Sequence, residues 1–206
     1  MSDQQESVFI VDDDAAVRDS LSMLLRSVGI QSRAFESGDE FLNAYQADFA
    51  GCILLDIRMP GISGMEVQRQ LVEKDCTLPI IFITGHGDIP MAVEAMHLGA
   101  HDFVQKPFHD QELLDRIQAA LNANREQQDD IELRRSVKER YETLTPREAE
   151  VMSAVVKGHA NKVIAMDLDL SQRTVEIHRA RVMEKMQVRS LAELVKLSVV
   201  LDNSSD

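Results

Sequence analysis

The chain has 206 residues, of which 44% are hydrophobic, and carries a formal net charge of −13. This length has room for one large or two ordinary domains, and the negative charge argues against indiscriminate nucleic-acid binding. No apolar stretch approaches the roughly 18 residues of a membrane-spanning helix, and the N-terminus lacks the basic and then apolar order of a signal peptide. Cys52 and Cys76 are the only cysteines and form no metal-binding pattern, so we expect a soluble, cytoplasmic protein with two reduced thiols.

The charge is unevenly distributed along the chain. Residues 1–124 contain 8 basic and 20 acidic residues, whereas residues 125–206 contain 14 and 15. Within 161–189 the balance turns positive, with 6 basic against 4 acidic residues. An acidic first half and a second half with a basic segment indicate two domains with different partners.

The first half alternates short apolar runs with amphipathic patterns. The apolar runs are typical of buried strands, and the patterns between them have the spacing of helices. Strands are predicted at 8–11, 32–35, 52–55, 80–83 and 103–104, and helices at 17–28, 40–46, 65–74, 91–98 and 111–121. Strands that alternate with helices imply a parallel sheet, so we predict a three-layer (βα)5 domain over residues 7–121.

Residues 122–142 are polar and charged and contain no Gly or Pro, which favours a helical connector over a flexible tether. A new domain is predicted to begin soon after, because Thr145, Pro146 and Glu148 form a capping box with proline at the first helical position. Four helices are predicted beyond it, at 148–156, 161–168, 171–186 and 191–200. The second half is therefore expected to be all-α, with its domain over residues 143–200.

Polar groups follow the predicted strands of the first half at their carboxyl ends. They are Asp12, Asp13, Asp56, Thr84 and Lys106. Ligands of parallel sheets sit at this edge, and an oxygen-only cluster beside a lysine suits Mg²⁺ and the transfer of a phosphoryl group to an aspartate. Taken singly, each acid is more often a turn or cap residue, and the lysine an ordinary surface residue. The prediction depends on all of them meeting at one sheet edge.

These motifs resemble the receiver domain of two-component response regulators. VDDD, LLDIRMPGISG, ITGHGD and FVQKPF occur in the order of that family and span residues 7–121. The resemblance implies that Asp56 is the phosphoacceptor. It also implies that Asp12, Asp13 and Asp56 hold Mg²⁺ together with the backbone carbonyl of Arg58.

The same resemblance assigns the remaining pocket residues. Lys106 would pair with Asp56 or its phosphate, and the Lys106–Pro107 bond is expected to be cis. Thr84 would hydrogen-bond the phosphoryl group, and Phe103 would swing inward to fill the space that Thr84 leaves. His86 lies where the family tunes hydrolysis, although an exposed loop histidine without a role is an equal alternative.

Haloacid-dehalogenase phosphatases also form an aspartyl phosphate and are the enzymatic alternative. They carry a second aspartate two residues after the nucleophile as general acid. Arg58 occupies that position here. We therefore expect autophosphotransfer to Asp56 and slow self-dephosphorylation but no turnover of a metabolite, so the chain is not predicted to be an enzyme.

The second half contains a helix-turn-helix pattern with a basic second helix. Two helical patterns flank Asp169, Leu170 and Ser171, and Ser171 is a good N-cap for the second of them. A tight turn before an arginine-rich helix is typical of DNA recognition in the major groove. A small helical interaction domain with solvated charges remains open on composition alone.

Residues 143–200 resemble the LuxR/NarL type of DNA-binding domain through LTPREAEVM, NKVIA and RTVEIHRARVMEKM, and the whole chain resembles the FixJ branch of regulators. The resemblance implies two groups of DNA-binding residues. Those near base edges or the groove wall are Arg173, Thr174, Glu176, Ile177 and Arg179. Those contacting phosphates are Asn161, Lys162, His178, Arg181 and Lys185. Some relatives have lysine where Glu176 stands, so the operator sequence is not transferable.

We therefore expect a phosphorylation-dependent transcriptional regulator. Its implied partners are a sensor histidine kinase, double-stranded promoter DNA, RNA polymerase and, on phosphorylation, a second copy of the chain; no membrane partner is expected. Two further possibilities are a constitutive DNA binder with a vestigial receiver and a phosphorylation-gated interaction module that binds no DNA.

Overall fold

The computed structural model describes residues 6–85 and 89–202, with the side chains of 89, 90, 92 and 202 excepted. It divides into two compact units, Met1–Gln128 and Asp129–Asp206. The first is an α/β unit and the second is helical, which confirms the predicted fold class.

The first unit is built on a five-stranded parallel sheet of order β2-β1-β3-β4-β5. Its strands are β1 Ser7–Val11, β2 Ser32–Phe35, β3 Gly51–Asp56, β4 Ile80–Thr84 and β5 Asp102–Gln105. The helices between them are α1 Ala15–Ser27, α2 Gly38–Ala44, α3 Gly64–Glu73 and α4 Ile89–His97, and α5 Asp110–Glu142 follows β5. Helix α2 begins two residues before the predicted start because Ser37 caps it by accepting from the Glu40 amide.

Both faces of this sheet are buried, and successive residues of each strand serve opposite cores. In β1, Phe9 and Val11 pack into one core, whereas Val8 and Ile10 pack into the other. Residues of α2 and α3 cover the first face, and residues of α1 and α5 cover the second. A strand that is buried on both faces has no solvent-facing side, so polar residues do not alternate with apolar ones along it. This explains the continuous apolar runs in the sequence.

The predicted connector, residues 122–142, is part of α5, and the boundary between the two units lies within this helix. Asn124 is buried in the first unit, where its Oδ1 accepts from the Gly51 amide at 2.9 Å and its Nδ2 donates to the Thr77 carbonyl at 3.4 Å. Val137 is fully buried in the core of the second unit. The polar appearance of the stretch therefore concealed one buried residue for each unit.

The second unit consists of the end of α5 and four helices, α6 Pro146–Val156, α7 Asn161–Asp167, α8 Gln172–Lys185 and α9 Leu191–Asp202. Thr145 and Glu148 form the predicted capping box, and Ser171 caps α8 by accepting from the Thr174 amide. The turn between α7 and α8 contains Asp169 at a φ of 55°, a left-handed conformation that Asp tolerates better than most residues. This is a helix-turn-helix, as predicted.

We predict that Asn124→Ala destabilises the first unit by about 2 kcal/mol, because it leaves the buried Gly51 amide and Thr77 carbonyl without these partners. The matched control is Asn122→Ala, at an exposed position two residues earlier, which should change stability by less than about 0.5 kcal/mol. Urea titration followed by hydrogen exchange of the peptides covering β1 and β3 measures both. Equal midpoints for the two variants would contradict the assignment.

Candidate functional site

Three strand ends of the first unit bring polar side chains to one cavity, and a fourth strand ends one residue before Gly85, which lines it. Asp12 follows β1, Asp56 ends β3, Thr84 ends β4, and Lys106 follows β5. The cavity has a volume of about 350 Å³ and is lined by Asp12, Asp13, Asp14, Asp56, Arg58, Gly85 and Lys106. The predicted convergence is therefore present for Asp12, Asp13, Asp56 and Lys106, whereas Thr84 is buried and is not among the lining residues.

Lys106 joins the two buried carboxylates of this cavity. Its Nζ donates to Asp12 Oδ2 at 2.8 Å and to Asp56 Oδ1 at 2.9 Å. Burial alone would lower the pKa of Lys106, but its hydrogen bonds to Asp12 and Asp56 and their charges raise it instead. The expected cis Lys106–Pro107 bond is confirmed. Lys106 is thus a fixed cation within reach of any group attached to Asp56.

Asp56 is held from both sides. Its Oδ1 accepts from Lys106, and its Oδ2 accepts from the Arg58 amide at 2.8 Å. The backbone of Asp56 also passes close to Gly64, where an added Cβ would lie 2.2 Å from the Asp56 carbonyl oxygen. Burial raises the pKa of Asp56, and its bonds to Lys106 and Arg58 only partly oppose that effect. The result is a carboxylate that is poorly solvated and oriented toward the cavity.

The other acids differ in their exposure. Asp12 is 1% exposed, and its Oδ1 accepts from the Asp14 amide at 2.9 Å. Asp13 is exposed at the cavity rim, and Asp14 caps α1 by accepting from the Ala16 amide. Within the described ranges, no three His, Cys, Asp or Glu side chains are already gathered as a metal cluster, since Lys106 lies between Asp12 and Asp56. The donors nevertheless suit Mg²⁺, which binds through a few carboxylates and completes its shell with water.

The two predicted switch residues lie on neighbouring strands. Thr84 is 3% exposed, and its hydroxyl donates to the Gly85 carbonyl at 3.0 Å. Phe103 is 39% exposed, an unusual fraction for a large aromatic side chain on a strand. Thr84 therefore lies inside and Phe103 points partly into solvent. His86 lies outside the described residues.

In the second unit, α8 has one buried and one exposed side. Val175, Val182 and Met186 are buried in the core that α6 and α7 share, and the predicted DNA-binding residues lie off this stripe. Those that are exposed are Lys162, Arg173, Glu176, Ile177 and Arg181, and those that are partly buried are Asn161, Thr174, His178, Arg179 and Lys185. One surface of the helix-turn-helix therefore carries exposed cations.

Four of the ten predicted DNA-binding residues, Asn161, Thr174, Arg179 and Lys185, already have side-chain partners in the second unit, and the hydroxyl of Thr174 bonds that of Ser171 at 2.8 Å. Arg179 donates to Asn161 Oδ1 at 2.6 Å, which ties α8 to α7. Lys185 donates to Glu148 Oε2 at 2.6 Å and to the Thr143 carbonyl at 2.9 Å. The hydrogen bond from Lys185, with that from the Thr145 amide, lowers the pKa of Glu148 to about 2. The capping-box pattern in the sequence predicts that Glu148 caps α6. It gives no sign that Glu148 also binds Lys185.

Family comparisons match both units. Residues 8–118 match the response regulator receiver domain, and residues 142–198 match the luxR family of bacterial regulatory proteins. A receiver unit with a carboxylate pocket, followed by a luxR-type helix-turn-helix, defines a DNA-binding regulator of the two-component class.

Similar proteins share this organisation over nearly their full length. The chain is 46% identical to the response regulator protein TodT of Pseudomonas putida over 204 residues, which cover 99% of this chain and 90% of TodT. The structure of response regulator StyR matches with a TM-score of 0.86 and 44% identity, over 94% of this chain and 98% of that one. The structure of full-length FixJ from B. japonicum matches with a TM-score of 0.61 and 40% identity, over 97% of this chain and 98% of that one.

The chain belongs to the response regulator family and is similar to its FixJ-like members. It is a phosphorylation-dependent regulator of transcription, in which the receiver implies a histidine kinase partner and the luxR-type domain implies DNA binding. No helix in the described part of the chain has the length and apolar character needed to cross a membrane.

The raised pKa of Asp56 predicts a pH-dependent stability. Because folding raises this pKa above its ordinary 3.8, the neutral carboxyl is favoured in the folded state, and stability is lost as the pH rises above 3.8 through the folded pKa. Asp56→Asn removes this loss, so the variant should be more stable than wild type at pH 7 and approach it near pH 4. Urea titration with hydrogen exchange of the β1 and β3 peptides measures the difference.

The matched control for this prediction is Asp13→Asn, which removes the same charge at an exposed position. It removes the charge without relieving a buried carboxylate, so it should not reproduce the stability gain that we expect of Asp56→Asn at pH 7. A stability gain of Asp56→Asn that does not change with pH would contradict the stated cause.

Proposed function

We propose that Asp56 is the residue that accepts the phosphoryl group from the sensor kinase. The observation that carries the proposal is the Lys106 ammonium 2.9 Å from Asp56 Oδ1, inside a strand-end cavity large enough for a phosphoryl group. A carboxylate oxygen of Asp56 forms the bond to phosphorus while the bond from phosphorus to the kinase imidazole breaks, and the imidazole keeps the electron pair. Lys106 then stabilises the negative oxygens of the new group.

We propose that Asp12, Asp13, Asp56 and the backbone carbonyl of Arg58 hold Mg²⁺, with water completing the shell. The bound cation would neutralise charge on the transferred phosphoryl oxygens. Asp12, Asp56 and the exposed Asp13 already line the same cavity. The buried Asp12 would otherwise raise the energy of a dianionic group on Asp56.

Turnover of a small-molecule substrate is not part of this proposal. A phosphatase of the haloacid-dehalogenase type needs an acid two residues beyond the nucleophile, and Arg58 stands there with an exposed side chain. The aspartyl phosphate therefore persists until slow self-hydrolysis, which suits a signal.

Thr84 and Phe103 are proposed to convert that signal into a packing change. A phosphoryl group on Asp56 offers Thr84 a stronger acceptor than the Gly85 carbonyl, and a displaced Thr84 side chain leaves a space that Phe103 fills. The surface proposed to respond is formed by α4 and β5, whose segment carries the exposed apolar residues Val93, Met96, Leu98 and Phe103. We propose that this surface forms a homodimer, which places two recognition helices on one duplex.

On DNA, exposed and partly buried residues of α7 and α8 are proposed to contact the duplex. Those near the bases are Arg173, Thr174, Glu176, Ile177 and Arg179, and those near phosphates are Asn161, Lys162, His178 and Arg181. Among described residues, Lys162, Arg173 and Arg181 have no ion-pair partner, so their charges are available to phosphate. RNA polymerase is the further partner that regulation of transcription requires.

We predict that Asp56→Asn abolishes labelling by a small phosphodonor such as acetyl phosphate, because an amide is not a nucleophile for phosphorus at neutral pH. The control Asp48→Asn removes an equally negative side chain at an exposed position and should label like wild type. Chelation of Mg²⁺ should suppress labelling of both active chains. Labelling of Asp56→Asn at the wild-type level would refute Asp56 as acceptor.

We predict that Thr84→Ala still labels on Asp56 but loses most of the phosphorylation-dependent gain in DNA affinity and in dimerisation. Labelling needs Asp56 and Lys106, whereas transmission needs the Thr84 hydroxyl. Sedimentation of the labelled chain and titration of a duplex selected by the wild-type chain provide the two measurements. A labelled Thr84→Ala chain that gains affinity as wild type does would remove Thr84 from the switch.

A further inference from the structure

The last residue of α8, Lys185, is bound inside the second unit. Its ammonium donates to Glu148 Oε2 at 2.6 Å and to the Thr143 carbonyl at 2.9 Å. Glu148 is 2% exposed and belongs to the first turn of α6. Lys185 therefore connects the C-terminal end of the recognition helix to the junction between α5 and α6.

The ion pair is hard to break because of where Glu148 lies. The same Oε2 also accepts from the Thr145 amide at 2.9 Å, as part of the capping box that starts α6. A buried carboxylate that loses its only cation is left uncompensated, which costs far more than breaking a surface pair. Lys185 can reach a DNA phosphate only by leaving Glu148 in that state.

A second contact reinforces the same end of α8. Arg140 donates to the Met186 carbonyl at 3.4 Å, immediately after Lys185. Both cations lie where the carbonyl groups of a helix terminus concentrate negative charge. The recognition helix is thus held at its C-terminal end by two side-chain contacts, while Arg181, one turn earlier, is exposed and has no ion pair among the described residues.

We propose that Lys185 is a positioning residue for DNA binding: it holds the recognition helix against the start of α6 through Glu148 and Thr143 and does not contact phosphate. The proposal rests on DNA binding by α8 and changes the role that sequence resemblance assigns to Lys185. Lys185 would then influence DNA affinity only through the orientation of α8, and this influence would require Glu148. A direct contact between Lys185 and phosphate would not require Glu148.

Glu148→Gln is the most direct test, because the two roles predict opposite signs. Glutamine keeps the capping box but removes the charge that holds Lys185. If Lys185 positions α8, the variant binds DNA more weakly, about tenfold for a coupling of typical size. If Lys185 contacts phosphate, the variant frees a cation and removes a repelling charge, so binding becomes tighter. The probe is a duplex selected from a random-sequence pool by the full-length wild-type chain.

Lys185→Met tests the same inference through the salt dependence of binding, since methionine keeps much of the apolar stem. We expect weaker binding with an unchanged slope of log affinity against log salt, because no phosphate contact is lost. The control Arg181→Met should instead reduce the magnitude of that slope by about 0.9, the value for one phosphate contact. A reduced slope for Lys185→Met would overturn the proposal.

The double variant Lys185→Met with Glu148→Gln separates a positioning role of Lys185 from a general loss of stability. The DNA affinity of this variant is compared with that of each single variant. Both changes break the same contact, so their effects should not add, and the double variant should bind within about threefold of the weaker single variant. If Lys185 contacted phosphate, the two changes would act independently and their effects would add. Additive effects would make the proposal fail while DNA binding by α8 stands. A wild-type chain that selects no duplex would refute the proposed function as well.

Discussion

A single ammonium group between two buried carboxylates sets the conditions for the first unit. Asp12 and Asp56 are 1% and 8% exposed, and without a cation their negative charges would repel each other in a poorly solvated pocket. Lys106 supplies that cation, at 2.8 Å and 2.9 Å from the two side chains. The parallel sheet makes this possible because it brings the ends of β1 and β3 and the residue after β5 to one edge.

The same contact explains why the site is suited to a reversible modification. Burial raises the pKa of Asp56, so its ionised form is held at some expense of stability. In the mechanism that we propose, a phosphoryl group on Asp56 changes the charge that Lys106 and Thr84 face. The side chains expected to respond are those with room to move, of which the partly exposed Phe103 is one.

The second unit pairs a lysine with a buried carboxylate for a different purpose. Glu148 both starts α6 and binds Lys185 at the end of α8, so one carboxylate fixes a helix terminus and the neighbouring recognition helix. The two lysines are similarly exposed, at 29% and 32%, but Lys106 also faces a cavity. In the second unit, no cavity is needed, and the pair serves the geometry of the helix-turn-helix. Similar chemistry thus supports a reactive site in one unit and a rigid one in the other.

The sequence by itself determined the class of fold and the place of the pocket. Continuous apolar runs such as 52–55 identify strands buried on both faces, and Asp12, Asp56 and Thr84 directly at the strand ends predict a shared edge. These inferences succeed because each rests on a pattern formed by residues that are close together in the sequence. The capping box at Thr145 marks the start of α6 for the same reason.

Only the tertiary structure decided which polar residues are buried and paired. Asn124 and Lys185 look like surface residues in the sequence, yet one is buried against Gly51 and the other binds Glu148, 37 residues away. Val137 likewise lies in a polar stretch and is fully buried. Helical periodicity shows which residues share a face. The residues that pack against that face come from parts of the chain that are distant in sequence. The partner of each charge is therefore set by packing, which no local pattern records.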